Sequence, residues 1–174
     1  MKMMKILMLG AAVAVIGSGV VMQKADAATD ALDVEARILN AVTINCTDTL
    51  NFGYLAVGEA GTVTIDTADG RTSGNANLII PGGTIQSGSC DVTGDNTVVM
   101  EITGTPGTIT DGTDTLTVNN FTFDDPVGAP GAGPYATTGT GAAVAITIGA
   151  DLVVAGTEAA GSYTGTVDIT ADYQ

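Results

Sequence analysis

Catalysis and metal binding draw on a short list of side chains, and this 174-residue chain carries few of them. It has no histidine, two cysteines (Cys46 and Cys90), five basic residues and nineteen acids. Lys2, Lys5 and Lys24 all stand in the first 27 residues, so beyond them only Arg37 and Arg71 face eighteen acids. Without histidine, proton transfer near neutral pH loses its usual carrier. Carboxylate pairs remain, Asp124 with Asp125 and Asp111 with Asp114, and glycosidases use such pairs. Eighteen scattered acids also make close pairs by chance, and no aromatic platform for sugars accompanies them. No catalytic residue is assigned, and the chain reads as a non-enzyme.

Calcium is the other chemistry open to acids. Asp66, Asp69, Asp111 and Asp114 lie at glycine-containing turns that could supply oxygen ligands, but none matches the twelve-residue calcium loop. They read as solvated turn acids, and no metal or cofactor is assigned. The net charge beyond residue 27 is −16. That excludes a basic nucleic-acid patch and attraction to anionic lipid, both of which need clustered Lys and Arg. The acidity fits a soluble exterior surface.

Residues 1–27 read as a cleaved export signal. A basic start (Met1–Lys5) precedes an apolar and small run (Ile6–Val21), and Ala25-Asp-Ala27 offers small residues for cleavage. The run is shorter than the roughly twenty apolar residues that span a bilayer. A mature chain of 147 residues from Ala28 is one domain's worth, with no membrane insertion after cleavage. In an oxidising compartment Cys46 and Cys90 are expected to pair. A metal site is the alternative, with two thiols and no histidine to build on. The bridge would contribute on the order of 3–4 kcal/mol.

Beyond residue 40 the composition predicts an all-β fold: Gly, Thr, Val, Ile and Ala dominate, and no window shows helical apolar spacing. Strands are expected at 42–46, 50–54, 62–66, 75–80, 97–103, 115–123, 143–153 and 162–173. Short strands at roughly ten-residue spacing predict an immunoglobulin-like β-sandwich. With three Phe, four Tyr and no Trp, its core is built from small aliphatics.

The two ends of that domain alternate most clearly. From Tyr163 to Tyr173 the odd positions are Tyr163, Gly165, Val167, Ile169, Ala171 and Tyr173, with Thr and Asp between them. At the other end Leu32, Val34, Ala36 and Ile38 alternate with Asp33, Glu35 and Arg37. This arm, residues 28–39, is either the first strand of the chain's own sheet or a donor strand for a neighbour's groove, and the pattern leaves the two readings even. Burying four such side chains is worth roughly 5–9 kcal/mol.

Several segments resemble the DUF4402 family of secreted bacterial proteins: Leu50-Asn-Phe-Gly53, Leu55-Ala-Val-Gly58, Gly61-Thr-Val-Thr-Ile65, Gly70-Arg-Thr72, and Ala160–Val167 closing on Tyr173-Gln174. The same layout is similar to chaperone–usher pilins and spore-coat-U-type subunits of archaic pili. The resemblance implies an incomplete immunoglobulin-like domain over residues 40–174, completed by a donor strand from a neighbouring subunit. It implies a homopolymeric surface fibre, exported through the periplasm with a chaperone and an outer-membrane usher as partners. Carried onto this chain, the donor residues are Leu32, Val34, Ala36 and Ile38. The acceptor groove and chaperone-binding face are Tyr163, Val167, Ile169, Ala171 and Tyr173, with Gly165 leaving room for a larger incoming residue. The alternative function is a monomeric secreted binding module with its N-terminal strand in its own sheet.

Overall fold

A computed structural model describes residues 27–174; the expected signal peptide, apart from Ala27, lies outside the described residues. A compact unit spans Arg37–Gln174. Residues 27–36 by themselves form neither helix nor strand.

The compact unit is all-β. Its strands are β1 (Thr43–Asp48), β2 (Asn51–Phe52), β3 (Gly61–Ile65), β4 (Arg71–Ser73), β5 (Ile85–Gln86), β6 (Gly88–Thr93) and β7 (Val99–Gly104). They continue with β8 (Gly107–Thr110), β9 (Thr115–Asp124), β10 (Gly131–Ala132), β11 (Tyr135–Thr138), β12 (Ala143–Val154) and β13 (Ile169–Tyr173). The larger sheet runs β1-β6-β12-β3-β4, with β9 also on β12 and β8 and β10 on β9. A smaller sheet runs β11-β7-β13, and β2 pairs with β5. Every pairing is antiparallel.

The organising strand is β12, whose twelve residues alternate so that Val144, Ile146, Ile148, Leu152 and Val154 are buried. Its length lets one edge pair first with β6 and then with β3, while the other edge pairs with β9. Met100 and Ile102 of β7 and Tyr135 of β11 join the same core cluster as the inner face of the larger sheet. The two sheets therefore form a sandwich around one core. Phe123 and Tyr135 connect them, their ring centroids 6.2 Å apart. The rest of the buried core is mainly Val, Ile and Leu, as the aromatic-poor composition requires. Cys46 and Cys90 sit directly opposite each other on β1 and β6 and are joined by a disulfide.

Three local expectations change. The strand expected at 75–80 is a turn, because the Asn75 side chain accepts the N–H of Asn77 (3.1 Å) and donates to Glu59 and to the Ala60 carbonyl. Such local hydrogen bonds compete with a ladder; Leu78 is nevertheless buried and Ile79 bridges to Leu55. Strands β6, β8 and β11, rich in Gly, Ser and Thr, were not expected from the apolar pattern. The long strand expected at 162–173 is interrupted. Thr164 bridges to Thr110, β13 begins at Ile169, and the stretch between passes Pro106, which has no N–H to give.

Candidate functional site: an open groove beside the C-terminal strand

The C-terminal segment runs along both sheets. Thr164 exchanges main-chain hydrogen bonds with Thr110 of β8 in the larger sheet (2.9 and 3.0 Å). Five residues later Ile169 pairs with Gly104 of β7 in the smaller one. On its other edge, β13 has no strand partner among the described residues. Tyr163, Val167, Ile169, Ala171 and Tyr173 are half-buried against the core, while the intervening residues are exposed.

Beside the segment that leads into this strand lies a groove of about 1180 Å³, which reaches β13 only at Ile169. Tyr163, Gly165, Val167 and Ile169 form one wall; Leu50, Phe52 and Leu55 belong to the other. Buried residues of β9 and β12, among them Leu116, Val118, Ile148 and Leu152, supply the floor. Strand β1, the outer strand on this side of the larger sheet, is covered no better: four of its last four residues are exposed and Ile44 is half-buried. The trough thus opens between the end of β1 and the segment that leads into β13.

Four of the six expected groove residues line the trough. Ala171 and Tyr173 share their face but lie outside the groove lining. Tyr173 instead ends the strand, its hydroxyl accepting the N–H of Asp95 at 2.6 Å. Asp95 in turn accepts from the main-chain and side-chain amides of Asn40 (2.9 and 2.7 Å), which holds its carboxyl below the usual range. Gly165 has a different reason for being glycine than room for an incoming side chain. A Cβ there would stand 2.8 Å from the Thr108 carbonyl oxygen and 3.1 Å from Ile109, so its absence lets the backbone close on β8.

The end of the groove near Tyr163 is acidic and tightly braced. Glu158 accepts the N–H groups of Ala155, Gly156 and Thr157 at 2.7–2.9 Å. Burial works to raise its carboxyl, but these hydrogen bonds hold it below the ordinary value. Burial, then the charges of Asp111, Asp114 and Glu158, pushes the Tyr163 hydroxyl up, so it stays protonated and donates to the Ala159 carbonyl at 2.9 Å. The turn acids are engaged in their own turns. Asp66 accepts from Ala68 and Gly70, Asp111 from Thr113 and Asp114, and Asp69 from the Ser87 amide and hydroxyl. Among the described residues no three acidic, histidine or cysteine side chains gather as a metal site.

The opposite wall was missed as a functional element, although the alternation of Leu50 and Phe52 around Asn51 signals an inward face. A family model, "Domain of unknown function (DUF4402)", matches residues 42–173, most of the chain. The chain belongs to the DUF4402 family. The matched span runs from the first strand of the sandwich to Tyr173, so it holds both walls of the groove and begins after the arm, residues 28–39. Comparison with curated proteins and with solved structures gives no significant match.

The arm itself, upstream of the DUF4402 match, is the least covered part of the described chain. Leu32, Val34 and Ile38 are 87, 84 and 96 % exposed, Ala36 is exposed, and none of the four lies in a strand.

Proposed function

We propose that this DUF4402 protein is a structural subunit of a bacterial surface fibre, built by strand exchange. Each subunit's residues 28–39 fill the groove of the next. One observation carries the reading: the sandwich has an open groove floored by apolar residues of β9 and β12, while the same chain has an alternating apolar segment that occupies no sheet. Leu32, Val34, Ala36 and Ile38 stand at the two-residue spacing that places side chains on one face of a strand. Seating them on the groove floor would bury apolar surface that a monomer leaves in water, at about 1.5–3 kcal/mol for each large side chain. At Ile169, where the groove meets the unpartnered edge of β13, main-chain pairing with the added strand can begin.

An open groove of this composition is an aggregation hazard during export. The proposed route therefore includes a periplasmic chaperone that occupies Tyr163, Gly165, Val167 and Ile169 until an outer-membrane usher exchanges it for the next subunit's arm. The disulfide is consistent with a periplasmic or secreted protein, since such bridges persist in oxidising compartments. The alternative, a monomeric binding module, would hold residues 31–38 as a strand of their own sheet; that no strand is formed there favours the exchange reading.

The test is an unheated SDS gel of the exported protein. Ladders that survive SDS but collapse on boiling are expected from the full chain and absent when residues 28–39 are deleted. A ladder that persists after the deletion refutes Leu32–Ile38 as the donor.

A further inference from the structure

Two of the sequence segments that mark the family, Leu50-Asn-Phe-Gly53 and Gly70-Arg-Thr72, lie almost twenty residues apart with no evident relation. In space they meet. The guanidinium of Arg71 donates through Nη1 to the carbonyls of Phe52 (2.8 Å) and Tyr54 (3.2 Å), and through Nη2 to that of Ile80 (2.9 Å). All three carbonyls belong to the lip of the groove formed by residues 51–56 and 78–86.

That lip is a weak ladder. It starts with Asn51 opposite Gln86 and Phe52 opposite Ile85, and resumes with Leu55 opposite Ile79. Between them Pro81-Gly-Gly83 inserts three extra residues on one side, and Pro81 has no N–H to contribute. Bonds from Tyr54 to Gly82 (3.4 Å) and from Ile80 to Tyr54 (3.2 Å) are long. Arg71 stands where the ladder is poorest, reaching both of its strands from β4. The fork of a guanidinium suits this, since its several N–H groups reach separate acceptors in a fixed geometry. Gly53 completes the fit: its φ is +72°, and a Cβ on it would lie 2.5 Å from Arg71 Nη1.

We propose that Arg71 is a positioning residue that clamps the groove's second wall, so that the two family segments are halves of one device keeping the trough open to an incoming strand. Beyond residue 27, where eighteen acids face two cations, one of those cations donates to three main-chain carbonyls of this wall. The clamp rests on the strand-exchange reading for its purpose, while its effect on the lip does not.

The test compares the wild-type exported protein with Arg71→Lys and Arg71→Gln by amide hydrogen exchange and by unheated SDS gels. Exchange at Tyr54, Ala56 and Ile80 is expected to rise about tenfold or more in Arg71→Gln, the size of losing charge-assisted hydrogen bonds, with β12 unchanged. Arg71→Lys should give an intermediate rise, because one ammonium cannot span both strands, and it serves if the glutamine variant fails to fold. The ladder should weaken in the same order. Lip exchange that stays at the wild-type rate, or rises equally in β12, overturns the clamp. A loosened lip with a full wild-type ladder overturns its role in receiving a strand. A wild type with no ladder overturns the fibre reading alone, and the lip exchange then still decides whether Arg71 is the clamp.

Discussion

Strand β12 and the C-terminal segment carry the same two-residue alternation and end in opposite situations. Along β12 both edges are paired and the inward residues Ile146, Ile148 and Leu152 are at most 4 % exposed. Along the C-terminal segment one edge is paired, and the inward residues Tyr163, Val167 and Ile169 are half-buried beside an open trough. Alternation therefore specifies which face turns inward and leaves open what covers it. Ile146 is wholly covered by the core, while Ile148 and Leu152 lie beneath the floor of the trough. The C-terminal segment stands at the wall of that trough and is covered only in part.

The sharpest way to break that contrast is to shorten one side chain from each strand. Ile146→Ala should cost about 2–5 kcal/mol in chemical denaturation, the range for emptying a closed core site. Ile169→Ala should cost the isolated domain less than half as much, because water already reaches that wall, yet it should weaken the SDS-resistant ladder. Equal costs would mean that the C-terminal wall is as closed as β12. Next in size is the staple at the edge of the trough. Replacing Cys46 and Cys90 together by serine should lower unfolding free energy by about 3–4 kcal/mol, and reductant should reproduce the loss in the native protein. An unchanged denaturation midpoint would show that β1 is held without it.

A smaller effect is expected at Gly165. Gly165→Val pushes side-chain atoms into the Thr108 carbonyl and should cost about 1–3 kcal/mol as an overpacked contact. If instead the variant is as stable as the wild type and takes up the arm normally, the close approach to β8 is not what glycine is for. The smallest effect is on pH. Burial works to raise the Asp125 carboxyl, but hydrogen bonds from Thr137 and from the amides of Val127 and Gly128 outweigh it and leave it below its ordinary value near 3.8. A lowered folded value gives stability that is present above that ordinary value and is lost as pH falls through the lowered one. Thermal melts should therefore decline below about pH 4, and Asp125→Asn should lower Tm at neutral pH while flattening that acid limb. An acid limb of unchanged steepness in the variant would remove Asp125 from the account.

Much of the sandwich was legible. The strands around Val63, Val118 and Ile146 announce themselves by alternating β-branched residues, and two cysteines in a chain without histidine have few other fates. The strands that escaped notice, such as Gly88–Thr93 and Tyr135–Thr138, bury mostly Gly, Cys or Thr on their inner faces, beside Val92 and Tyr135. Their inward residues are too small or too polar to stand out until partners supply the ladder. Residues 75–80 misled in the reverse direction, because Leu78-Ile-Ile80 looks like a strand while Asn75 closes a turn around it. The C-terminal wall of the groove could be read from its odd positions. The facing wall could not, since its position depends on Arg71 reaching three carbonyls far from it in sequence.

By itself the sequence determined the all-β class, the aliphatic core, the pairing of Cys46 with Cys90, and the inward face of the C-terminal strand. These follow from residue type and from spacing along the chain, which act locally. Tertiary structure alone decided that the last strand shifts from β8 to β7, that Gly165 serves close backbone approach, and that the trough between first and last strands is open. Those outcomes depend on which distant edges meet, and a two-residue period carries no record of its partner.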